Sequence, residues 1–168
     1  MFNRRTLSIA ALVAATTSLA GRGFAGKSQA ASTTKETFAV TKTKEEWKKQ
    51  LTAEEYDVLR DHGTERAGTS PLDKTYAPGT YACAGCGTPV FTSETKFDSG
   101  TGWPSFYAPI EGHVATTSDR KFFMTRTEVH CATCEGHLGH VFEDGPKPTG
   151  LRYCMNGVAL KFAADGIS

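Results

Sequence analysis

Two C-x-x-C pairs, Cys83-Ala-Gly-Cys86 and Cys131-Ala-Thr-Cys134, hold four of the five cysteines in this 168-residue chain. Two such knuckles supply the four soft thiolates of a closed tetrahedral zinc site, and a closed site keeps no coordination position open for chemistry. One structural Zn²⁺ per chain is therefore expected on Cys83, Cys86, Cys131 and Cys134. The knuckles lie 44 residues apart, so the metal would clip distant hairpins together and stabilise chiefly by restricting the unfolded chain. The competing reading is a pair of disulfide-forming or redox C-x-x-C motifs, but neither pair is followed by a clear helical pattern. His130 adjoins the second knuckle and is a candidate replacement ligand.

The fifth cysteine stands in Leu151-Arg-Tyr-Cys-Met-Asn-Gly157. If this run is extended, Arg152, Cys154 and Asn156 share one face. A guanidinium beside a thiol favours thiolate, and an amide beside it can orient a polar substrate group. The alternative is a buried structural cysteine. Gly136-His-Leu-Gly-His-Val-Phe142 adds two histidines three apart. Without a His-Glu-x-x-His pattern, His137 and His140 read better as an acid/base pair serving a thiol than as metal ligands. In Lys96-Phe-Asp-Ser-Gly-Thr-Gly-Trp-Pro-Ser-Phe106, two glycines bracket Thr101 ahead of Trp103. Such a loop presents an aromatic wall, or simply core packing.

Ahead of these motifs the chain is of a different kind. Residues 1–31 carry Arg4 and Arg5, an apolar run from Leu7 to Leu19, and small residues at Ala20, Ala25 and Ala30. These are the parts of an export signal. Asn3-Arg4-Arg5-Thr6-Leu7 resembles a twin-arginine signal, although Asn3 stands where Ser or Thr is usual. Export to the periplasm is expected, with a mitochondrial transit peptide as the alternative. A twin-arginine route would let zinc load in a reducing compartment before export. Setting those residues aside leaves 15 basic against 18 acidic residues, a formal charge of −3. That charge is a poor footprint for nucleic acid. No membrane anchor is expected after cleavage, and the mature chain is expected to be a monomer.

Residues 32–43 read as a flexible linker and residues 44–165 as the domain. Lys44 to Gln50 is a predicted short helix, and Thr52-Ala-Glu-Glu55 is a capping box opening a second, with Gly63 as its left-handed stop. Beyond it, Gly and Pro recur every few residues between short β-type runs: 89–92, 113–116, 122–129, 140–142 and 158–162. The fold class this predicts is mainly β and antiparallel, with short helices only at the front.

Taken in order, these motifs resemble the B-type methionine sulfoxide reductases, from about Glu45 to Phe162. The resemblance implies two small antiparallel sheets with a structural zinc on four cysteines. It implies reduction of methionine-R-sulfoxide in oxidised proteins, a repair of oxidative damage. Cys154 is then the nucleophile, and His137 and His140 handle the proton and orient substrate. Arg152 and Asn156 flank the thiol, while Trp103 and Phe142 contact substrate. Many members carry a resolving cysteine where this chain has Thr101. A one-cysteine cycle is therefore expected, with a thioredoxin-like protein or another thiol reducing the Cys154 sulfenic acid directly. Two other readings remain at this stage: a non-enzymatic zinc-ribbon binding module, and a thiol peroxidase.

Overall fold

The computed structural model describes residues 37–121 and 124–166. The expected export segment, and residues 32–36 of the expected linker, lie outside the described residues. Within the linker, Val40 N–H donates to Thr133 O at 2.9 Å, and the Phe38 ring meets His130 edge-on. Both contacts fall on or beside the second knuckle.

Two short helices follow, α1 (Lys44–Gln50) and α2 (Ala53–Asp61). Each is opened by a threonine whose hydroxyl accepts from the third helical N–H while that residue's glutamate accepts from the threonine N–H. These reciprocal bonds satisfy donors that a helix start otherwise leaves bare. The stop differs from expectation by one residue. His62, with φ of 56°, takes the left-handed position in place of Gly63, a conformation that histidine tolerates better than most side chains. Tyr56, Val58 and Leu59 of α2 are buried. Arg60 lies over the Trp47 ring and donates to Cys134 O at 2.8 Å, tying the helices to the second knuckle.

Among the described residues, nine strands form two antiparallel sheets. The smaller has β1 (Gly79–Cys83) between β2 (Pro89–Thr92) and β9 (Leu160–Ala164). The larger runs β3 (Lys96–Phe97), β4 (Ser105–Phe106), β8 (Arg152–Met155), β7 (His137–Phe142), β6 (Met124–Cys131), β5 (Val114–Lys121). The mainly β, two-sheet expectation holds. Strand bounds do not all hold: β5 continues past Thr116 through a polar stretch to Lys121. Its ladder with β6 supplies the backbone bonds that side-chain preference alone would not have indicated.

Aromatic packing joins the sheets. Phe91 of β2 stacks on Phe106 of β4 at 4.3 Å, Tyr81 of β1 meets Phe106 edge-on at 5.0 Å, and Tyr153 of β8 packs on Phe91 at 5.8 Å. Burial pushes the Tyr81 hydroxyl up to about 12. The strand carrying Cys154 is thus backed by packed rings, and its position is fixed from behind. Among the described residues, no helix is long and apolar enough to cross a membrane.

Candidate active site

Register builds the site. Thr117, Glu128, His140, Cys154 and Ser105 are successive partners across β5, β6, β7, β8 and β4. Directly paired residues project from the same face, so five polar side chains form one row across the sheet. Alternation adds Asp119, Arg126, Phe142 and Arg152 to that face. Gly139 permits the β7–β8 approach: a Cβ there would stand 2.1 Å from Cys154 O.

Cys154 is half-buried, with the Thr101 hydroxyl 3.9 Å from its sulfur. Thr101 Oγ1 lies 2.8 Å from Ser99 Oγ, which lies 2.7 Å from Ser105 Oγ. A chain of hydroxyls therefore runs beside the thiol. Gly102, at φ of 86°, makes the turn that brings Thr101 there. Burial pushes the Cys154 thiol up, against the opposing pull of the Thr101 hydroxyl and the Arg152 charge. Arg152 is beside the thiol as the sequence predicts, but Asp144 holds it with two bonds of 2.8 Å. Its guanidinium also lies 4.5 Å from the Phe142 ring centre. Much of its charge is spent on Asp144, so it does not carry the thiol below its ordinary value.

The two histidines are each tethered by a carboxylate. His140 Nε2 donates to Asp119 Oδ2 at 2.9 Å, and Arg126 holds the same oxygen at 2.8 Å. Burial lowers His140, outweighing the bond to Asp119. His137 is 2% exposed, and its Nδ1 donates to Glu128 Oε1 at 2.7 Å. A carboxylate only accepts, so Nδ1 carries a proton, and in the neutral imidazole Nε2 is then bare. That Nε2 has no hydrogen-bond partner among the described residues. Burial works against the charge on Glu128, but the bond from His137 and the neighbouring imidazoles outweigh it and hold the carboxyl at about 2.

Asn156 lies at the end of the same strand with its amide already engaged. Its Nδ2 donates to Leu138 O at 3.1 Å and its Oδ1 accepts from Glu65 N–H at 3.1 Å. Trp103 Nε1 donates to Glu65 O at 3.2 Å, while the Glu65 carboxylate accepts from Gly157 and Val158 N–H at 2.6 and 2.9 Å. Glu65 is thus a knot joining the Trp103 loop to the exit of the Cys154 strand. Sequence reasoning missed Glu65, Asp119, Glu128, Ser99 and Ser105. For Glu128, its adjacency to the second knuckle in Arg126-Thr-Glu-Val129 was the available signal; for Glu65 there was none.

The other four cysteines form a separate centre. Cys83 Sγ and Cys134 Sγ are 3.7 Å apart, Cys86 Sγ and Cys131 Sγ 3.6 Å, and all four sulfurs fall within 4.8 Å of one another. Such a group could hold a metal ion. Those separations match the edge of about 3.8 Å that a tetrahedron with Zn–S of about 2.3 Å requires.

One sulfur thus stands apart from four clustered ones, the division that a zinc-stapled thiol oxidoreductase requires. A SelR domain model matches residues 51–164. A peptide methionine sulfoxide reductase MsrB of Leptospira interrogans is 55% identical over 129 residues, covering 76% of this chain and 98% of that protein. Proteins of the same description from Agrobacterium fabrum and Methanosarcina barkeri are 52% and 55% identical, covering 73% and 76% of this chain and 92% and 90% of theirs. The chain belongs to the B-type methionine sulfoxide reductase family.

Proposed function

We propose that Cys154 reduces methionine-R-sulfoxide in oxidised proteins by way of a sulfenic acid. The observation that carries this reading is the direct pairing of Cys154 with His140. With the thiol raised and the imidazole lowered, the resting proton sits on sulfur. As the sulfur attacks the sulfoxide sulfur, His140 takes that proton and delivers it to the sulfoxide oxygen. The hydroxyl then passes from the substrate sulfur to Cys154, the transient sulfur–sulfur bond breaks, and methionine leaves with Cys154 as Cys–SOH; no net proton is consumed. Once protonated, that oxygen is a hydroxyl that can donate to the bare Nε2 of His137. Trp103 walls the opposite side with an apolar face for the methyl group, which is how the R epimer would be selected.

The cycle closes outside the chain. One thiol of a thioredoxin-like reductant or a small dithiol condenses with the sulfenic acid, releasing water, and a second thiol frees Cys154. Thr101 supplies no sulfur for an internal disulfide, and the remaining cysteines belong to the four-sulfur centre. Zinc on that centre would hold the knuckles together and supply no step of the reaction. Residues 1–31 support export to the periplasm. The test is Cys154→Ser: turnover should vanish with one zinc per chain retained, and a dimedone adduct should form on Cys154 of the unaltered protein after one turnover. Surviving activity would overturn the assignment.

A further inference from the structure

At the β5–β6 end of the reacting row lies a second convergence of ligand-type side chains. Glu128 Oε1 accepts from His137 Nδ1 at 2.7 Å and lies 3.0 Å from His62 Nδ1, and the ligand-type atoms of all three residues fall within 4.8 Å of one another. His62 is exposed on the outer side, and His137 is buried on the inner. The cluster opens into a cleft of about 190 Å³ lined also by Thr117, His130, Glu135 and Arg60. His130 is 3% exposed, and its Nδ1 has no hydrogen-bond partner among the described residues. His62 and Glu135, the two non-glycine residues with positive φ among those described, both line this cleft. Strained backbone of this kind persists where the surroundings hold it, often at ligand sites.

We propose that His62, Glu128 and His137 form a second site for a divalent transition cation such as Zn²⁺ or Co²⁺, whose occupation switches the enzyme off. Two imidazole nitrogens and a carboxylate oxygen suit such ions, with a water from the cleft completing the set. Metal–ligand distances of about 2.0–2.2 Å in a tetrahedron need donors about 3.3–3.6 Å apart, so the present contacts of 2.7 and 3.0 Å must open by about 0.3–0.9 Å. His62 can give its share because it sits exposed at the end of α2, and the remainder comes from turning the Glu128 carboxylate away from His137. Arg60 opposes the added charge from the rim, but its guanidinium is directed to Cys134 O and the Trp47 ring, and Glu128 and Glu135 outnumber it.

The consequence follows from the tautomer. A metal on Nδ1 of His137 displaces the proton there, and the ring takes it up on the bare Nε2, so no net proton is lost. That nitrogen becomes a fixed donor and can no longer accept from the hydroxyl that the sulfoxide oxygen becomes. The inhibitory half of this proposal rests on the catalytic reading of His137; the binding half does not.

The test is a Co²⁺ titration of the zinc-replete full chain, read by visible absorption, beside single-turnover reduction of a methionine sulfoxide peptide without added thiol. One further Co²⁺ per chain should bind with ligand-field bands of nitrogen and oxygen donors and no thiolate charge-transfer band. Inhibition should follow the same midpoint. His62→Asn keeps a residue that accepts the left-handed position and should weaken binding at least about tenfold, or about 1.4 kcal/mol, with inhibition weakened in step. Should that variant misfold, paramagnetic broadening of the His62 and His137 ring signals in the unaltered chain reads the same site. No second Co²⁺, an unchanged midpoint in His62→Asn, thiolate bands, or binding without inhibition would each overturn the proposal. Normal Co²⁺ binding in a chain that never reduces the peptide would sink the functional reading and leave the site standing.

Discussion

His140 and Cys154 are directly paired across β7 and β8, and burial pushes their ionisation in opposite directions, the imidazole down and the thiol up. The resting pair is therefore neutral thiol and neutral imidazole, holding between them the single proton that the sulfoxide oxygen needs.

The pH dependence follows with its sign. His140 gains a second proton only below its ordinary value of 6.5, and Cys154 loses its proton only above its ordinary value of 9.0. The one-proton pair dominates between those limits, so the single-turnover rate should form a plateau across them and fall on either side. Rapid-mixing measurements of methionine formation against pH check this. A rate climbing steadily through the window would mean that free thiolate, and not the proton-carrying pair, is the reactive form.

Asp144 controls how much of the Arg152 charge reaches the thiol. Asp144→Asn removes the carboxylate that accepts both 2.8 Å bonds, so the guanidinium turns more of its field on Cys154 and lowers its pKa. Iodoacetamide should then alkylate Cys154 severalfold faster at pH 7, and the alkaline limb of the rate plateau should move to lower pH. An unchanged alkylation rate would show that Arg152 has no electrostatic hold on the thiol.

Glu65 should matter more than its loop position indicates. Glu65→Ala leaves the Gly157 and Val158 N–H groups without their carboxylate, a loss of about 2 kcal/mol or more in stability. Losing the carboxylate frees the segment whose backbone holds Asn156 and Trp103, so KM for the sulfoxide peptide should rise more than kcat falls. Urea unfolding and steady-state kinetics separate the two effects.

The sequence carried the grouping of the candidate side chains better than the scaffold that positions them. Cys154, His137, His140 and Arg152 were legible because a strand period of two and a short His-x-x-His spacing are local patterns. The metal knuckles were legible for the same reason. Asp119, Glu128 and Ser105 were not, since what recruits them is the register of β5, β6 and β4, and register is set by pairing between distant strands. Asn156 shows the converse: its place beside the thiol was readable, but its engagement by Leu138 and Glu65 is long-range. The α2 stop fell on His62 because a helix end is fixed by one residue's backbone, and histidine can adopt what glycine adopts more readily.

Thr101 stands where a second sulfur could act. Its hydroxyl is 3.9 Å from Cys154 Sγ, a separation that a modest loop adjustment closes to disulfide length. Thr101→Cys should therefore trap an internal disulfide after one turnover, seen as the loss of both thiols by mass spectrometry under non-reducing conditions. In the unaltered chain, the same experiment should yield Cys–SOH and no internal disulfide. A disulfide between Cys154 and any knuckle cysteine there would contradict the one-cysteine cycle.

The central claim is that Cys154 reduces one epimer of methionine sulfoxide by an arrangement with Trp103 on one side and the histidines on the other. Its most direct test is turnover of dabsylated methionine-R-sulfoxide against the S epimer by the zinc-replete full chain, with dithiothreitol as reductant. The account expects the R epimer alone to be reduced, and no reduction by Cys154→Ser. Equal turnover of both epimers, or none of either by folded zinc-replete protein, would contradict it.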